Sequence, residues 1–346
     1  MTDLTHPGVS AQGQLRPLAI ALGDPAGIGP EITAKAWDLR ETEHLPRFFA
    51  VGDMAAIEAV WDGPVKRISD PADATAMFDH ALPCIHVPDE SETVPGRPTL
   101  DGARCAFQSL EVATGLVRAE SAGALVTAPV SKTQLAQVGF SYPGQTEFVA
   151  ERCGVSRSNI VMMLAGPSLR VVPITIHIPF ARVPAALTPT LIKTRAHATA
   201  RGLQRLFGIE QPRLAMAGLN PHAGEDGLLG REEIDLIRPV IETLRAEGLD
   251  ISGPHSADAM FSPRARTGYD AALCCYHDQA LIPIKALHFD DGVNMTLGLP
   301  IVRTSPDHGT AFDIAGQGHA HPGAMVAAIK MARDAEICRR SRIEAA

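Results

Sequence analysis

Short, nearly continuous apolar runs alternate along this chain with longer segments whose apolar residues recur at helical spacing. The runs Leu18–Leu22, Phe48–Val51, Ala124–Thr127, Val161–Leu164, Val171–Ile176, Leu214–Ala217 and Ala271–Tyr276 show no in/out alternation. That pattern belongs to strands covered on both faces, as in a parallel sheet flanked by helices. Helices are expected between them. Pro30 stands where a first helical residue would, and Glu31 suits the positive end of that helix. Thr188-Pro189 opens a long helical segment that ends at Gly208, with Thr188 as its cap. Between Gly230 and Gly248, Ile234, Ile237, Val240, Ile241 and Leu244 share one helical face. The pattern predicts an α/β fold with a substantially parallel sheet.

At 346 residues the chain suits two domains of ordinary size. We expect one from residues 1–130 plus 300–346 and another from 131–299, divided near Ser131 and Leu299. No repeat or low-complexity block interrupts them. The formal net charge of −8 repels phosphate backbones, which excludes nucleic acid as the main partner. An anionic substrate then needs a local cluster of Arg and Lys. No run of about 18 apolar residues is free of charges or breakers, so no membrane span is expected. Met1–Pro17 is polar, without the basic start and apolar stretch of a signal peptide. Cys84, Cys105, Cys153, Cys274, Cys275 and Cys338 form no CxxC pair, which suits free thiols in the cytoplasm.

Four motifs carry candidate chemistry. Gly23-Asp24-Pro25-Ala26-Gly27-Ile28-Gly29-Pro30-Glu31 joins a strand to a helix. It reads either as an anion-favouring helix start or as a tight turn, and its glycine spacing is not the dinucleotide fingerprint. Three histidines follow strand ends: His177, His222 in Asn220-Pro221-His222-Ala223-Gly224, and His277 in Tyr276-His277-Asp278-Gln279. Three converging imidazoles would hold Zn²⁺ with a position left for substrate, whereas each alone is equally a structural histidine. Lys285, Asn294 and Arg303, set among apolar residues, offer the charge and hydrogen bonding that a phosphate-plus-carboxylate substrate needs. The fourth, Asp307 to Gly316, is a polar, glycine-bearing loop. Lys132 follows a strand end near a possible anion site, and Asp258 reads as a buried carboxylate or a cap. Neither a P-loop nor a Gly-x-Ser-x-Gly elbow is present.

The stretches GDPAGIGPE (23–31), GLNPHAGEDG (218–227), YHDQALIPIK (276–285) and GVNMTLGLPIVRTSPDHGTAFDIAG (292–316), in that order, resemble the 4-hydroxythreonine-4-phosphate dehydrogenase family. The last also resembles the cofactor loop of isopropylmalate and isocitrate dehydrogenases. The resemblance spans Leu18 to about Arg333. It implies two α/β/α subdomains with a largely parallel or mixed sheet, like those dehydrogenases. The 1–130 plus 300–346 unit would lie on the cofactor side, and 131–299 would carry substrate, metal and dimer contacts. It further implies a homodimer whose active site is shared, with His177 and His222 from one subunit and His277 from the other holding the metal.

Substrate contacts carry over to Gln145, Thr146, Lys285, Asn294 and Arg303, cofactor contacts to His308, Gly309, Thr310 and Asp313, and catalytic roles to Lys285, His222 and Asp258. The implied activity is oxidation of 4-phosphohydroxy-L-threonine with NAD or NADP and one divalent metal, Zn first and Mg or Co as alternatives. The β-keto acid product is decarboxylated on the way to pyridoxal phosphate. One position departs from the family: Gln145 stands where a histidine is usual, and it cannot titrate near neutral pH. Family relatives acting on sugar-acid phosphates or carboxylated cis-dihydrodiols, a zinc hydrolase, and a ligand-binding homologue without turnover are the alternatives.

Overall fold

The computed structural model describes residues 15–90 and 92–344, so most of the polar segment Met1–Pro17 lies outside the described residues. Its inner end is tied down: the Arg16 carbonyl accepts from Arg333 and the Pro17 carbonyl from Gly123. Twelve strands among the described residues form one sheet. They are β1 (Leu18–Ala21), β2 (Phe48–Gly52), β3 (Val65–Ile68), β4 (Leu82–His86), β5 (Leu125–Thr127) and β6 (Val161–Gly166), then β7 (Leu169–Pro173), β8 (Arg213–Ala217), β9 (Asp250–His255), β10 (Ala271–Cys274), β11 (Val293–Leu297) and β12 (Arg303–Pro306). The order is β3-β4-β2-β1-β5-β12-β11-β6-β7-β10-β8-β9. Pairing is parallel on both flanks and antiparallel only at β12–β11, β11–β6 and β6–β7. The fold is α/β with a mostly parallel mixed sheet.

The apolar runs became strands because both faces are covered. On β1, Leu18 and Ile20 join one core while Ala19 and Ala21 join another. The first core is continuous under the whole sheet, where the helices Gly29–Asp38, Pro189–Phe207, Arg238–Ala246 and Gly323–Glu344 contribute Ile32, Ile192, Leu203, Leu244, Met325 and Ile329. The opposite face is split. One part packs under the helices Leu100–Arg118 and Gln145–Arg152, the other under the helix His277–Leu287. The gap between them is where the middle of the sheet is left uncovered.

Local signals held at several element ends. The Thr188 hydroxyl accepts from the Leu191 amide at 3.2 Å, and Gly208 closes that helix at φ +68°. The segment between Gly230 and Gly248 is helical but begins with a π-helical turn, Glu233–Ile237. The run Val171–Ile176 is shifted: β7 spans Leu169–Pro173, and its continuation breaks where His177 turns to φ +52°. Strands β3, β4, β9, β11 and β12 were not anticipated.

The Gly23–Glu31 motif is a tight turn. A Cβ at Gly29 would stand 2.1 Å from the Leu22 carbonyl oxygen, so only glycine fits. Glu31, buried, accepts from Lys35 at 2.7 Å and from the Ala320 amide at 3.0 Å, and Lys35 also donates to the carbonyls of Gly318 and Ala320. This clip fixes the segment leading into the last helix.

Asp24 in the same turn is buried, and desolvation raises its carboxyl from 3.8 to about 6, with Asp89 adding to the rise and the Ala26 amide opposing it. Between those values the folded chain holds a proton that the unfolded chain has released. Its contribution to stability is therefore complete below pH 3.8 and lost as pH rises through about 6. Asp24→Asn keeps an acceptor for Ala26 and cannot ionise. It should exceed wild type in stability above that window by about 3 kcal/mol and flatten the pH dependence, as read from urea midpoints on either side of it.

Candidate functional site

The uncovered middle of the sheet carries polar side chains. Along β11, Val293, Met295 and Leu297 point into the continuous core, so Asn294 and Thr296 face the other way. On β12 the Thr304 hydroxyl bonds the Ala328 carbonyl of the last helix, so Arg303 and Ser305 face the gap. Above them lies a cavity of about 430 Å³, lined by Thr127, Lys132, Gln145, Thr146, Glu147, His177, Arg195, His277, Asn294, Arg303, Asp307, His308 and Gly309, among others.

Arg303 is 3% exposed. Its guanidinium donates to the hydroxyls of Thr127 (2.6 Å), Thr146 (3.2 Å) and Thr296 (3.3 Å). No carboxylate pairs with it among the described residues, and its Nε is buried without a partner. Desolvation lowers its pKa to about 10, a depression that nearby Glu147 only partly opposes. A buried cation held only by neutral hydroxyls carries a desolvation penalty of roughly several kcal/mol. The Oδ1 of Asn294, also buried and unpartnered, lines the same cavity. The floor of the cleft therefore carries a positive charge without a counter-ion and an acceptor without a donor among the described residues. Gln145 donates Nε2 to the Ala128 carbonyl at 3.1 Å, which fixes its amide orientation and leaves Oε1 as an acceptor.

The imidazoles divide into two places. His177 and His277 approach within one chain, ring centroids 5.5 Å apart. The Nδ1 of His277 bonds the Asp278 carboxylate at 2.7 Å, the carboxylate–histidine arrangement that orients a metal ligand. Partial burial, then the charges of Lys132 and His277, lowers the pKa of His177, which favours the neutral ligating form. His222 does not line that cavity; it rides on the Pro221–Gly227 turn near Asp258. Thus His177 is joined here by His277 rather than by His222. Among the described residues no three metal-ligating side chains converge. Asp258 is an exposed residue in the first turn of a short helix, not a buried carboxylate or its cap, because the Ser256 hydroxyl satisfies it at the surface.

Lys285 does not line the cavity; it is paired with Asp307, which does, at 2.8 Å. Of the loop candidates, His308 and Gly309 face the cleft, whereas Thr310 packs against Gly27 and receives the Ile28 amide on its carbonyl at 3.0 Å. Asp313 lies farther along the loop, and its carbonyl accepts from Gln317. Sequence reading missed Glu147 and Arg195, and placed Lys132 only loosely. Arg195 sits mid-helix, and nothing in its local pattern tells it from a surface charge.

If an anion completes the floor, inorganic phosphate should raise the melting temperature of wild type in a concentration-dependent way. Arg303→Met should lose on the order of 2–4 kcal/mol of that binding and show almost no shift. An equal response from the variant would remove Arg303 from the site.

The profile of the family described as pyridoxal phosphate biosynthetic protein PdxA matches residues 44–332. A 4-hydroxythreonine-4-phosphate dehydrogenase from Zymomonas mobilis is 59% identical over 318 residues, covering 92% of this chain and 95% of that protein. Its counterpart from Erythrobacter litoralis is 57% identical over 322 residues, with 92% and 96% covered. The crystal structure of the 4-hydroxythreonine-4-phosphate dehydrogenase from Klebsiella pneumoniae superposes with a TM-score of 0.83 at 34% identity, covering 95% of this chain and 100% of that one. The chain belongs to the pyridoxal phosphate biosynthetic protein PdxA family.

Proposed function

We infer that this chain is an oxidoreductase, a 4-hydroxythreonine-4-phosphate dehydrogenase that serves pyridoxal phosphate biosynthesis. The observation that carries the reading is the buried guanidinium of Arg303, without a counter-ion, beside the unpartnered Asn294 on the floor of the cleft. A substrate with phosphate, carboxylate and ammonium groups supplies both the missing anion and the missing donor. The dehydrogenase names of relatives more than half identical over nine-tenths of the chain support the reaction class.

The reaction removes two electrons and two protons from a secondary alcohol, and the resulting β-keto acid loses CO₂. NAD or NADP and a divalent cation, zinc first, are the groups we assign to it. When bound, the nicotinamide accepts hydride and the cation acts as a Lewis acid toward the substrate oxygens. The chain's own part is positional. Arg303, Thr146 and Asn294 bind the charged end, and Gln145 accepts from a substrate donor. Asp278 orients His277 so that its Nε2 remains for the cation. Lys285, set back from the cavity, reaches it only through Asp307, and this pair is the proton relay we assign. His308 and Gly309 form the cofactor edge, where a Cβ on Gly309 would meet nothing within 4 Å.

The donor set fits one half of a cation site, and His222 supplies the other half from a second copy. Exposed large apolar side chains beside each histidine support that assembly: Phe180 near His177, Leu228 near His222 and Ile282 near His277, at 67%, 83% and 68% exposure. The order of the sheet, with β5 and β12 on one side and β11 and β6 on the other, supports two domains divided as 1–130 plus 300–346 and 131–299. Six free thiols suit a reducing cytoplasm. Among the described residues no helix is long and apolar enough to cross a membrane.

NADH absorbance should rise when 4-phosphohydroxythreonine and NAD are added with Zn²⁺, and no rise with either nicotinamide cofactor would refute the reading. In mixed dimers of His222→Ala and His277→Ala subunits, each variant inactive alone, one intact site should form and activity should return. Absence of rescue in dimers verified as mixed would exclude the shared site.

A further inference from the structure

The segment carrying His222 has an uncommon backbone. His222, Ala223, Gly224, Glu225 and Asp226 lie consecutively in the left-handed region, with φ of 51°, 52°, 80°, 41° and 52°. Four of these five residues carry a Cβ that disfavours this conformation, and L-residues normally enter it one at a time. Such a run persists only where its surroundings over-determine it.

Those surroundings centre on one carboxylate. Glu233 is 1% exposed and sits at the start of the π-helical turn Glu233–Ile237. Its Oε1 accepts from the amides of Leu219 and Asn220, both at 2.7 Å, and its Oε2 from the Asn220 side chain at 2.9 Å. The turn closes around it: a Cβ on Gly224 would stand 2.6 Å from Oε2, so glycine there lets the backbone reach the carboxylate. Asn220 Nδ2 also donates to Glu232 at 2.7 Å, and Gln279 bonds the Cys275 amide at 2.6 Å and the Gly218 carbonyl at 2.8 Å, joining the start of the His277 helix to the end of β8. Single-turn π-bulges recur at functional sites, and here the bulge places a buried acid under the loop.

We propose that Glu233 is a positioning residue that winds the His222 turn left-handed and thereby sets the direction of the imidazole. It does so without touching substrate or cation. The inference deepens the reading of His222 as a metal ligand and adds the device that aims it.

The test uses the full-length, metal-free protein, titrated with Co²⁺ as the probe, alongside hydrogen exchange across residues 219–229. Glu233→Gln should melt as a folded protein, bind Co²⁺ roughly 10–100-fold more weakly, and exchange faster in that segment. Ala223→Gly should leave binding unchanged in the wild-type background. In the Glu233→Gln background it should restore most of the lost affinity, because glycine adopts positive φ without penalty. A purely structural acid would show no such rescue. Should Glu233→Gln fail to fold, Asn220→Ala removes one of the three donors to Glu233, together with its bond to Glu232, and should give a smaller loss, restored by the same glycine and not reproduced by Glu232→Gln. Unchanged exchange in the Glu233→Gln or Asn220→Ala protein, or loss without rescue by Ala223→Gly, overturns the proposal. His222→Ala binding Co²⁺ as tightly as wild type would instead overturn the ligand role of His222, leaving the exchange result to judge Glu233 separately.

Discussion

A guanidinium held under the sheet's open face by threonine hydroxyls sets the terms for the rest of this molecule. Arg303 is fully desolvated, yet its partners Thr127, Thr146 and Thr296 are neutral. Three different elements must therefore be brought to one point to keep a charge that none of them neutralises. Such an arrangement costs stability, because neutral hydroxyls compensate the desolvated charge only in part. The neighbouring groups follow from the same constraint. Glu147 is near enough to act on the charge but does not pair with it, and Asp307 is engaged instead by Lys285.

The cleft exists because the two faces of the sheet are packed differently. One face has a single core running beneath both flanks, so the strands are held as one body. The other has two cores with polar strand residues between them. Cavity-lining groups are thus built on β11 and β12 themselves, while His177, His277 and His308 come from the segments after β7, β10 and β12.

Most of the covered sheet was legible in the sequence, because burial on both faces leaves unbroken apolar runs. Of the strands that escaped, β3 and β9 are edges, β11 and β12 carry polar residues, and β4 is a mostly buried run, Leu82–His86, interrupted by Pro83. Val293-Asn294-Met295-Thr296-Leu297 alternates apolar and polar residues, the signature of a strand facing a cleft, and a search for continuous runs passes over it. Short β12, Arg303-Thr304-Ser305-Pro306, has no apolar signal. Arg303 and Asn294 were recognisable by residue type among apolar neighbours, but their missing partners were not. Glu233 and Gln279 were invisible for another reason. Their work is done through backbone amides far along the chain, and local pattern carries no trace of such bonds.

The ladder between β5 and β12 consists of two residue pairs, Arg303 with Leu125 and Thr304 with Val126, the shortest pairing in the described sheet. Arg303 bridges this seam through its side chain, reaching Thr127 on one flank and Thr296 on the other. The guanidinium therefore adds side-chain bonds on both sides of the shortest ladder in the described sheet. What the backbone leaves short at this seam is made up by a side chain, so truncating Arg303 would remove bonds between strands as well as charge from the cavity.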